Sequence, residues 1–437
     1  MAVNATHPEY DASLPVWSRA RAVLAGEDAV KTAGEEYLPR LDSQSEEEYS
    51  AYKARASFFG ATARTLEEYV DLVFRRAPVL ALGVGERLKQ FVSDCDLWGL
   101  DFVRYARRVV TEVLTVGRLG SLLLSEQAGR PVVSLWKAED IVNWTMERVG
   151  QAVVLVEVVL RDAGGLRVLR LVESCCVQEV WKKRDDTWAL YERVTLRRDG
   201  VPLPFIPFVF HGPRDSRPAP DRLPLADIIA ANLDHYRLDA DFKHGLHFAA
   251  LPTAWVSGFD KAAALRIGSS AAWVSDIPGA TAGFLEFSGA GLGHIDRAME
   301  RVERRMALLG ARMLEVRTSD GDGAGVPTTS ADGQLCGLGS VVASLNQSLT
   351  RVLQLANWWI EGRDATGASG VSIAMNTDLA ARAISAELLA AVLATWRAGG
   401  LSRESMLEIL KRGEILPEGR TVAQERALIH GRGRNQA

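Results

Sequence analysis

Three of the chain's seven histidines, His235, His244 and His247, fall in one predicted helix, with His244 and His247 a turn apart and Asp241 nearby, donors of the kind that hold a transition metal. No fourth ligand accompanies them, and a helix packed in an assembly also uses histidine as an amphipathic interface residue, so no metal is expected. Gly289-Ala290-Gly291-Leu292-Gly293 stands between a predicted strand and a predicted helix, as a dinucleotide loop would. His294 follows where a further Gly or Ala is required, and no alternation of parallel strands and helices surrounds it. Asp320-Gly321-Asp322 begins like a calcium loop, yet Ala324 takes the third ligand position and Ala331 the twelfth, which needs a bidentate Glu. No Gly-x-Ser-x-Gly elbow, Walker loop or His-Glu-x-x-His motif occurs. The chemistry-bearing residues therefore predict no catalytic, cofactor or metal site, and the chain is not expected to be an enzyme.

The elements that carry these residues are of a different kind. Leu223 to Ala250 and Leu292 to Arg317 read as helices of 28 and 26 residues, which would reach about 42 and 39 Å. The second carries Leu292, Ile295, Met299, Val302, Met306, Leu309, Met313 and Val316 at alternating three- and four-residue steps, a coiled-coil-like seam with charged residues on its other faces. A third helix, about Gln334 to Ile360, repeats the seam with Leu338, Val342, Leu345, Leu349, Val352, Ala356 and Trp359, and Arg351 is the only charge within it. Its remaining polar positions are neutral groups that tolerate burial when hydrogen-bonded, so both faces are expected to be covered, by more surface than one chain has to offer.

Ahead of this region the first 118 residues read as helical, with capping boxes at Ser45/Glu48 and Thr65/Glu68 and a helix Leu100 to Val116 closing at Gly117. A hairpin, Leu119 to Ser125 and Pro131 to Trp136, then four strands near 151–160, 166–173, 176–183 and 187–197, predict an antiparallel meander. Phe205 to Phe210 is a last strand, and Pro213 to Pro224 a linker. Between the long helices, strands Thr253 to Val256, Ala271 to Val274 and Gly283 to Phe287 and a short helix near Lys261 to Arg266 form a unit too small for its own core. Leu379 to Trp396 and Ser402 to Arg412 are amphipathic helices, and the basic tail from Gly431 to Ala437 is expected to be disordered. The fold class is α+β.

At 437 residues, with 47% hydrophobic content, the chain is long enough for two or three domains. A net charge of -4 gives no basic footprint for gripping phosphates. Nine Lys against 42 Arg suits interfaces, and base composition of the source genome explains that ratio as well. Cys95, Cys175, Cys176 and Cys336 show no paired spacing, which points to a reducing compartment, and no stretch has signal-peptide or membrane-spanning character.

The stretches His7-Pro8-Glu9-Tyr10, Gly26-Glu27-Asp28-Ala29-Val30-Lys31, Tyr37-Leu38-Pro39-Arg40, Ala138-Glu139-Asp140-Ile141-Val142-Asn143-Trp144, Ile206-Pro207-Phe208-Val209, Asn232-Leu233-Asp234-His235-Tyr236-Arg237 and His244-Gly245-Leu246-His247-Phe248 together resemble tailed-bacteriophage portal proteins, in an uncharacterised portal-like family, from His7 to about Glu361. That resemblance implies a closed ring, twelve-fold in assembled portals, at one capsid vertex of the virion, assembled in the host cytoplasm. It implies a conduit for packaging and ejection of double-stranded DNA and no cofactor. The implied partners are the major capsid protein and scaffold, the terminase large subunit that supplies ATP hydrolysis, and a head-completion or tail adaptor protein, with no membrane.

By the same resemblance, residues 1–221 are the wing, 222–250 and 290–314 the stem helices, and 251–289 the clip. Residues 315–333 are the channel loop, 334–378 a long helix and return to the wing, and 379–437 a helical crown and tail. The channel loop would act through Thr318, Asp320, Asp322, Thr328 and Asp332. The stem would line the channel and meet its neighbours through Asp234, Arg237, Asp241, His244, Arg297, Arg301, Arg304, Arg305 and Arg312, and Trp255, Phe259 and Trp273 would anchor clip contacts or form a local mini-core. Thr318 to Gly333 contains no Lys or Arg and is rich in small residues, which gives a flexible, mildly repulsive collar instead of a grip. Two other readings stand beside this one: a soluble DNA-binding module, which would bind DNA salt-sensitively as an isolated subunit, and an enzyme whose site is assembled from scattered residues in a deep pocket.

Overall fold

Pro8 occupies a first helical turn, where its missing N–H costs nothing, and the His7 imidazole Nδ1 accepts the Glu9 N–H at 3.2 Å. Helix α1 (Pro8–Ala25) begins there. The computed structural model describes residues 3–83, 85–127, 130–185, 187–250, 253–258, 273, 276–285, 289, 291–314, 337–362, 370–377, 379, 386–412 and 421–433. After α1 come α2 (Glu27–Ala33), α3 (Glu46–Arg55), α4 (Ala61–Phe74), strand β1 (Val79–Ala81), α5 (Glu86–Ser93) and α6 (Phe102–Val116).

The α3 capping box is present: Ser45 Oγ accepts the Glu48 N–H at 3.2 Å, and a Glu48 carboxylate oxygen accepts the Ser45 N–H at 2.8 Å. The Thr65 box is not. Helix α4 starts four residues before Thr65, after Gly60, and the Thr65 hydroxyl donates to the Ala61 carbonyl at 2.9 Å inside the helix. Helix α6 starts at Asp101, whose carboxylate accepts the Arg104 N–H at 2.9 Å, and ends at Gly117 with φ 71. A Cβ at Gly117 would sit 3.1 Å from the Asp221 carbonyl oxygen, so glycine is required for both backbone angle and space.

Then follow β2 (Leu119–Gln127), β3 (Arg130–Lys137), β4 (Ile141–Val149), β5 (Ala152–Asp162), β6 (Gly165–Val172), β7 (Cys175–Arg184), β8 (Thr187–Thr195), the short β9 (Arg197–Arg198) and β10 (Val201–Pro202), and β11 (Phe208–His211). Strands β4 to β8 make a five-stranded antiparallel meander in sequence order, and β11-β2-β3 a second sheet. The sequence reading lacked β4, which pairs along β5 from Ile141↔Leu160 to Val149↔Ala152 with two register shifts. Those shifts break the two-residue alternation by which a strand is recognised.

The rest of the first unit is α7 (Ala226–Ala250), β12 (Thr253–Ser257), β13 (Thr281–Leu285), α8 (Leu292–Leu314), α9 (Gly337–Glu361) and β14 (Ser372–Ala374), the last pairing with β1 from Val79↔Ala374 to Ala81↔Ser372. Helix α9 corrects an expectation. One chain does cover most of it: Leu338, Val342, Leu345, Leu349, Val352, Ala356 and Trp359 are all buried. Two of its neutral polar residues are bonded within the chain, Ser344 Oγ to the Gly212 carbonyl at 3.0 Å, and Asn346 to the Met375 N–H and carbonyl at 2.8 and 3.3 Å.

The chain divides into Met1–Asp378 and Leu379–Ala437. The second unit holds α10 (Ala386–Arg397), α11 (Arg403–Arg412) and α12 (Val422–Gly433), around Val392, Met406, Leu407 and Val422. Helix α12 extends to Gly433, and residues 434–437 lie outside the described residues.

Candidate functional site: the α7–α8 hairpin

Helices α7 and α8 pack against each other in opposite directions. Two contacts fix the register: His235 Nε2 lies 3.1 Å from a Glu303 carboxylate oxygen, and a Cβ at Gly245 would come 2.8 Å from Leu292 Cδ2. As the numbers rise along α7 they fall along α8.

Most of the first half of α7 between Ile228 and Ala240 is buried, with Ala230 and Asp234 exposed, and it is tied to the N-terminal helices by polar side chains. Asn232 Oδ1 accepts from the Thr62 N–H and hydroxyl at 3.1 and 2.8 Å, and an Asp239 oxygen accepts the Ser57 N–H at 2.6 Å. The second half, from Asp241, is half-exposed. Helix α8 is barer still. Met306 is its one buried residue, and Leu292, Ile295, Met299, Val302, Leu309 and Met313 of the predicted seam are only partly covered.

The predicted stem residues fall on this hairpin. Asp234 pairs with Arg237 at 3.1 Å, and Arg237 Nε donates to the Tyr37 carbonyl at 2.9 Å. Asp241 accepts the Tyr52 hydroxyl at 2.6 Å; burial, with Asp241 beside it, pushes the Tyr52 phenol well above its ordinary range. His244 stands edge-on to Tyr52 and Phe248, at 5.1 and 4.8 Å between ring centres, with its pKa lowered chiefly by burial and then by Arg55. His247 lies against Phe248. His244 and His247 share Phe248 while His235 stands apart against Glu303, and among the described residues no group of three His, Cys, Asp or Glu side chains is placed to hold a metal. Arg304 pairs with Glu300 at 3.1 Å, and Arg297 reaches His294 at 3.2 Å. Arg301, Arg305 and Arg312 are exposed.

At the far end of the hairpin, β12 and β13 pair from Thr253↔Leu285 to Ser257↔Thr281. Trp255 is 45% exposed and lies over Gly283, where a Cβ would be 3.0 Å from its Nε1. Trp273 packs on Phe284 at 6.1 Å between ring centres. Phe259 lies outside the described residues, as do Thr318, Asp320, Asp322, Thr328 and Asp332.

Sequence reasoning missed two buried polar centres in the first unit. Tyr105, Ser121, His211 and Ser348 form one hydrogen-bonded line joining α6, β2, β11 and α9. Arg118 is 1% exposed, lies 3.9 Å above the centre of the Trp144 ring, and makes no ion pair among the described residues. The other side of Trp144 carries His7, stacked at 3.9 Å, at the edge of an open cleft of about 860 Å³. Glu157 and Arg170, both in that cleft, are engaged with each other at 2.6 Å.

The family model described as "Domain of unknown function (DUF4055)" matches residues 224–360, less than a third of the chain and the same span as the hairpin and α9. No curated protein matches the chain. Among solved structures it is similar to a chain in the virion of the native gene transfer agent particle, at 13% identity and a TM-score of 0.38, covering 87% of this chain and 98% of that one. It is similar at the same TM-score to chains in the neck of the native particle computed with C12 symmetry, at 13% identity over 87% of this chain and 97% of that one. A chain in the neck of the empty particle computed with C6 symmetry gives 14% identity over 80% of this chain and 89% of that one, again at 0.38. Likeness at this level fixes neither the fold nor the role of this chain. No described helix is long and apolar enough to cross a membrane.

Proposed function

We propose that this chain is a portal protein: a subunit of a closed ring at one capsid vertex, through which double-stranded DNA is packaged and ejected, and on which the terminase and a head-completion adaptor dock. The observation that carries this reading is the state of α8. A 23-residue helix packed along α7 has a single buried residue and a half-covered apolar seam. Such a seam is stable in water when a neighbour completes its cover. A rotation that closes supplies that neighbour identically to every subunit. The portal-like stretches of the sequence support the same reading, as does the small two-stranded unit at the hairpin's tip, which is placed to serve as a clip.

Light scattering of the purified protein with negative-stain microscopy tests this. The expected result is an annulus of about twelve copies with a central hole, alone or once capsid protein and scaffold are added. A compact particle of two to four copies under both conditions overturns the reading. The portal resemblance assigns Asp320 and Asp322, which lie outside the described residues, to a collar next to DNA. Replacing both with Lys is expected to impair DNA retention or packaging and to leave ring assembly unchanged, because added cations hold phosphates that must slide. Unchanged packaging and retention would refute that role.

A further inference from the structure

We infer that successive subunits are joined along the stem by a ladder in which Asp227, Asp234 and Asp241 of α7 in one copy face Arg312, Arg304 and Arg297 of α8 in the next copy of this chain. The inference rests on the closed ring proposed above and names a polar contact on the face of α8 opposite the seam, in addition to the cover of the seam itself.

Asp227, Asp234 and Asp241 recur every seven residues along one ridge of α7, about 10.5 Å apart, the first two exposed and Asp241 half-buried beside Tyr52. The carboxylates of Asp227 and Asp234 are 59% and 50% exposed. On α8, at 100° per residue, Arg297, Arg301, Arg304, Arg305 and Arg312 fall within an arc of about 100°, roughly opposite Met306 and the apolar seam. The hairpin therefore carries an acidic ridge on one helix and a basic ridge on the other.

The register gives these ridges matching heights. His235 beside Glu303 sets residue pairs whose numbers sum to 538 at one level, and Gly245 beside Leu292 gives 537. By that rule Asp241 stands level with Arg297, and Asp234 with Arg304, while Asp227 is within one residue of Arg312. Subunits of a closed ring differ by a rotation with no shift along the axis, so with the hairpin along the axis each height is kept in the next copy. All three carboxylates then meet guanidiniums at once.

Within the chain Asp227 is paired with Arg222 at 2.7 Å, Asp234 with Arg237, and Asp241 with the Tyr52 hydroxyl. None of these uses the full capacity of a carboxylate, which accepts at about four lone-pair sites.

The test uses full-length chains. Asp227→Lys with Asp234→Lys sets Lys against Arg at two of the three rungs; Arg304→Glu with Arg312→Glu sets Asp against Glu at the same two. Each variant alone is expected to shift the ring–subunit equilibrium at least about tenfold toward subunits, since like charges then face each other at every joint. Mixing the two is expected to restore rings, because an alternating ring again pairs acid with base at every joint. A second measurement is independent of charge: chains carrying only Asp234→Cys, mixed with chains carrying only Arg304→Cys, should give a disulfide-linked heterodimer on oxidation of the ring.

Rings from wild-type and both variants alike would overturn the ladder and leave the ring reading intact, whereas absence of rings from wild-type protein would overturn the ring reading itself. Variants that lose rings and are not rescued by mixing would overturn the pairing. Normal rings with lost DNA packaging in Arg304→Glu/Arg312→Glu would assign the basic ridge to DNA instead.

Discussion

His211→Ala is expected to lower the unfolding free energy of the first unit by about 3–5 kcal/mol, because it removes a buried ring and strands two buried hydroxyls. Denaturant titration followed by tryptophan fluorescence reads this. Ser348 donates to the Leu345 carbonyl at 3.2 Å, so it accepts from His211 Nδ1–H at 2.7 Å. Nε2 is then unprotonated and accepts the Ser121 hydroxyl at 2.5 Å, which in turn accepts from Tyr105. Every donor in the line has an acceptor only while the imidazole is neutral. Burial pushes the His211 pKa down from 6.5 to about 3.

The sign of the pH effect follows. Between pH 6.5 and 3 the unfolded chain binds a proton at His211 that the folded chain does not, so stability from this site is full above pH 6.5 and is lost as pH falls toward 3. At pH 5 the loss relative to neutral pH is about 2 kcal/mol. The wild-type-minus-His211→Gln difference isolates it from other groups that titrate in this range. A difference that is flat from pH 7 to 4 would rule out the neutral relay.

The local signals in the sequence were read where a few adjacent residues decide the outcome. Ser45 with Glu48, the glycine stop at Gly117 and the turns of the meander are of this kind. Thr65 carried the same letters as Ser45 but lies one turn inside a helix, because the chain had already turned helical after Gly60 and the hydroxyl found the Ala61 carbonyl instead. The periods of α8 and α9 were equally legible, yet the partner of each face was not. Helix α9 is covered by β11, β2 and β3, strands far away in sequence, and by β14 just after it, while the seam of α8 stays half-bare. The His211 line joins residues 16, 90 and 137 positions apart, with no local pattern at any of them. The level match of the Asp and Arg ridges became visible only once His235 and Glu303 fixed the register.

Arg118 poses the opposite expectation: removing it should stabilise the protein. The guanidinium is fully enclosed, its Nε and Nη2 have no hydrogen-bond partner, and Nη1 makes a single 3.5 Å contact to the Ile141 carbonyl. Its compensation is aromatic, Trp144 at 3.9 Å and Phe210 at 5.5 Å from the guanidinium carbon. Cation–π contacts of this kind contribute about 2 kcal/mol when desolvated, less than the several kcal/mol that burying an ion costs. Burial accordingly pulls the Arg118 pKa from 12.5 down to about 9, so the cost is fully present below pH 9 and falls as pH rises toward 12.5. Arg118→Met keeps a long flexible side chain against Trp144 and Phe210 and removes the charge. It is expected to raise the unfolding free energy by about 1–3 kcal/mol at neutral pH. Arg118→Ala would leave a cavity between the two rings, and the part of the gain that survives in it measures the packing of the stem of Arg118. If Arg118→Met instead destabilises by more than about 1 kcal/mol in denaturant titration, the aromatic pair outweighs desolvation, and the guanidinium holds the His7–Trp144 stack and the start of α1 in place.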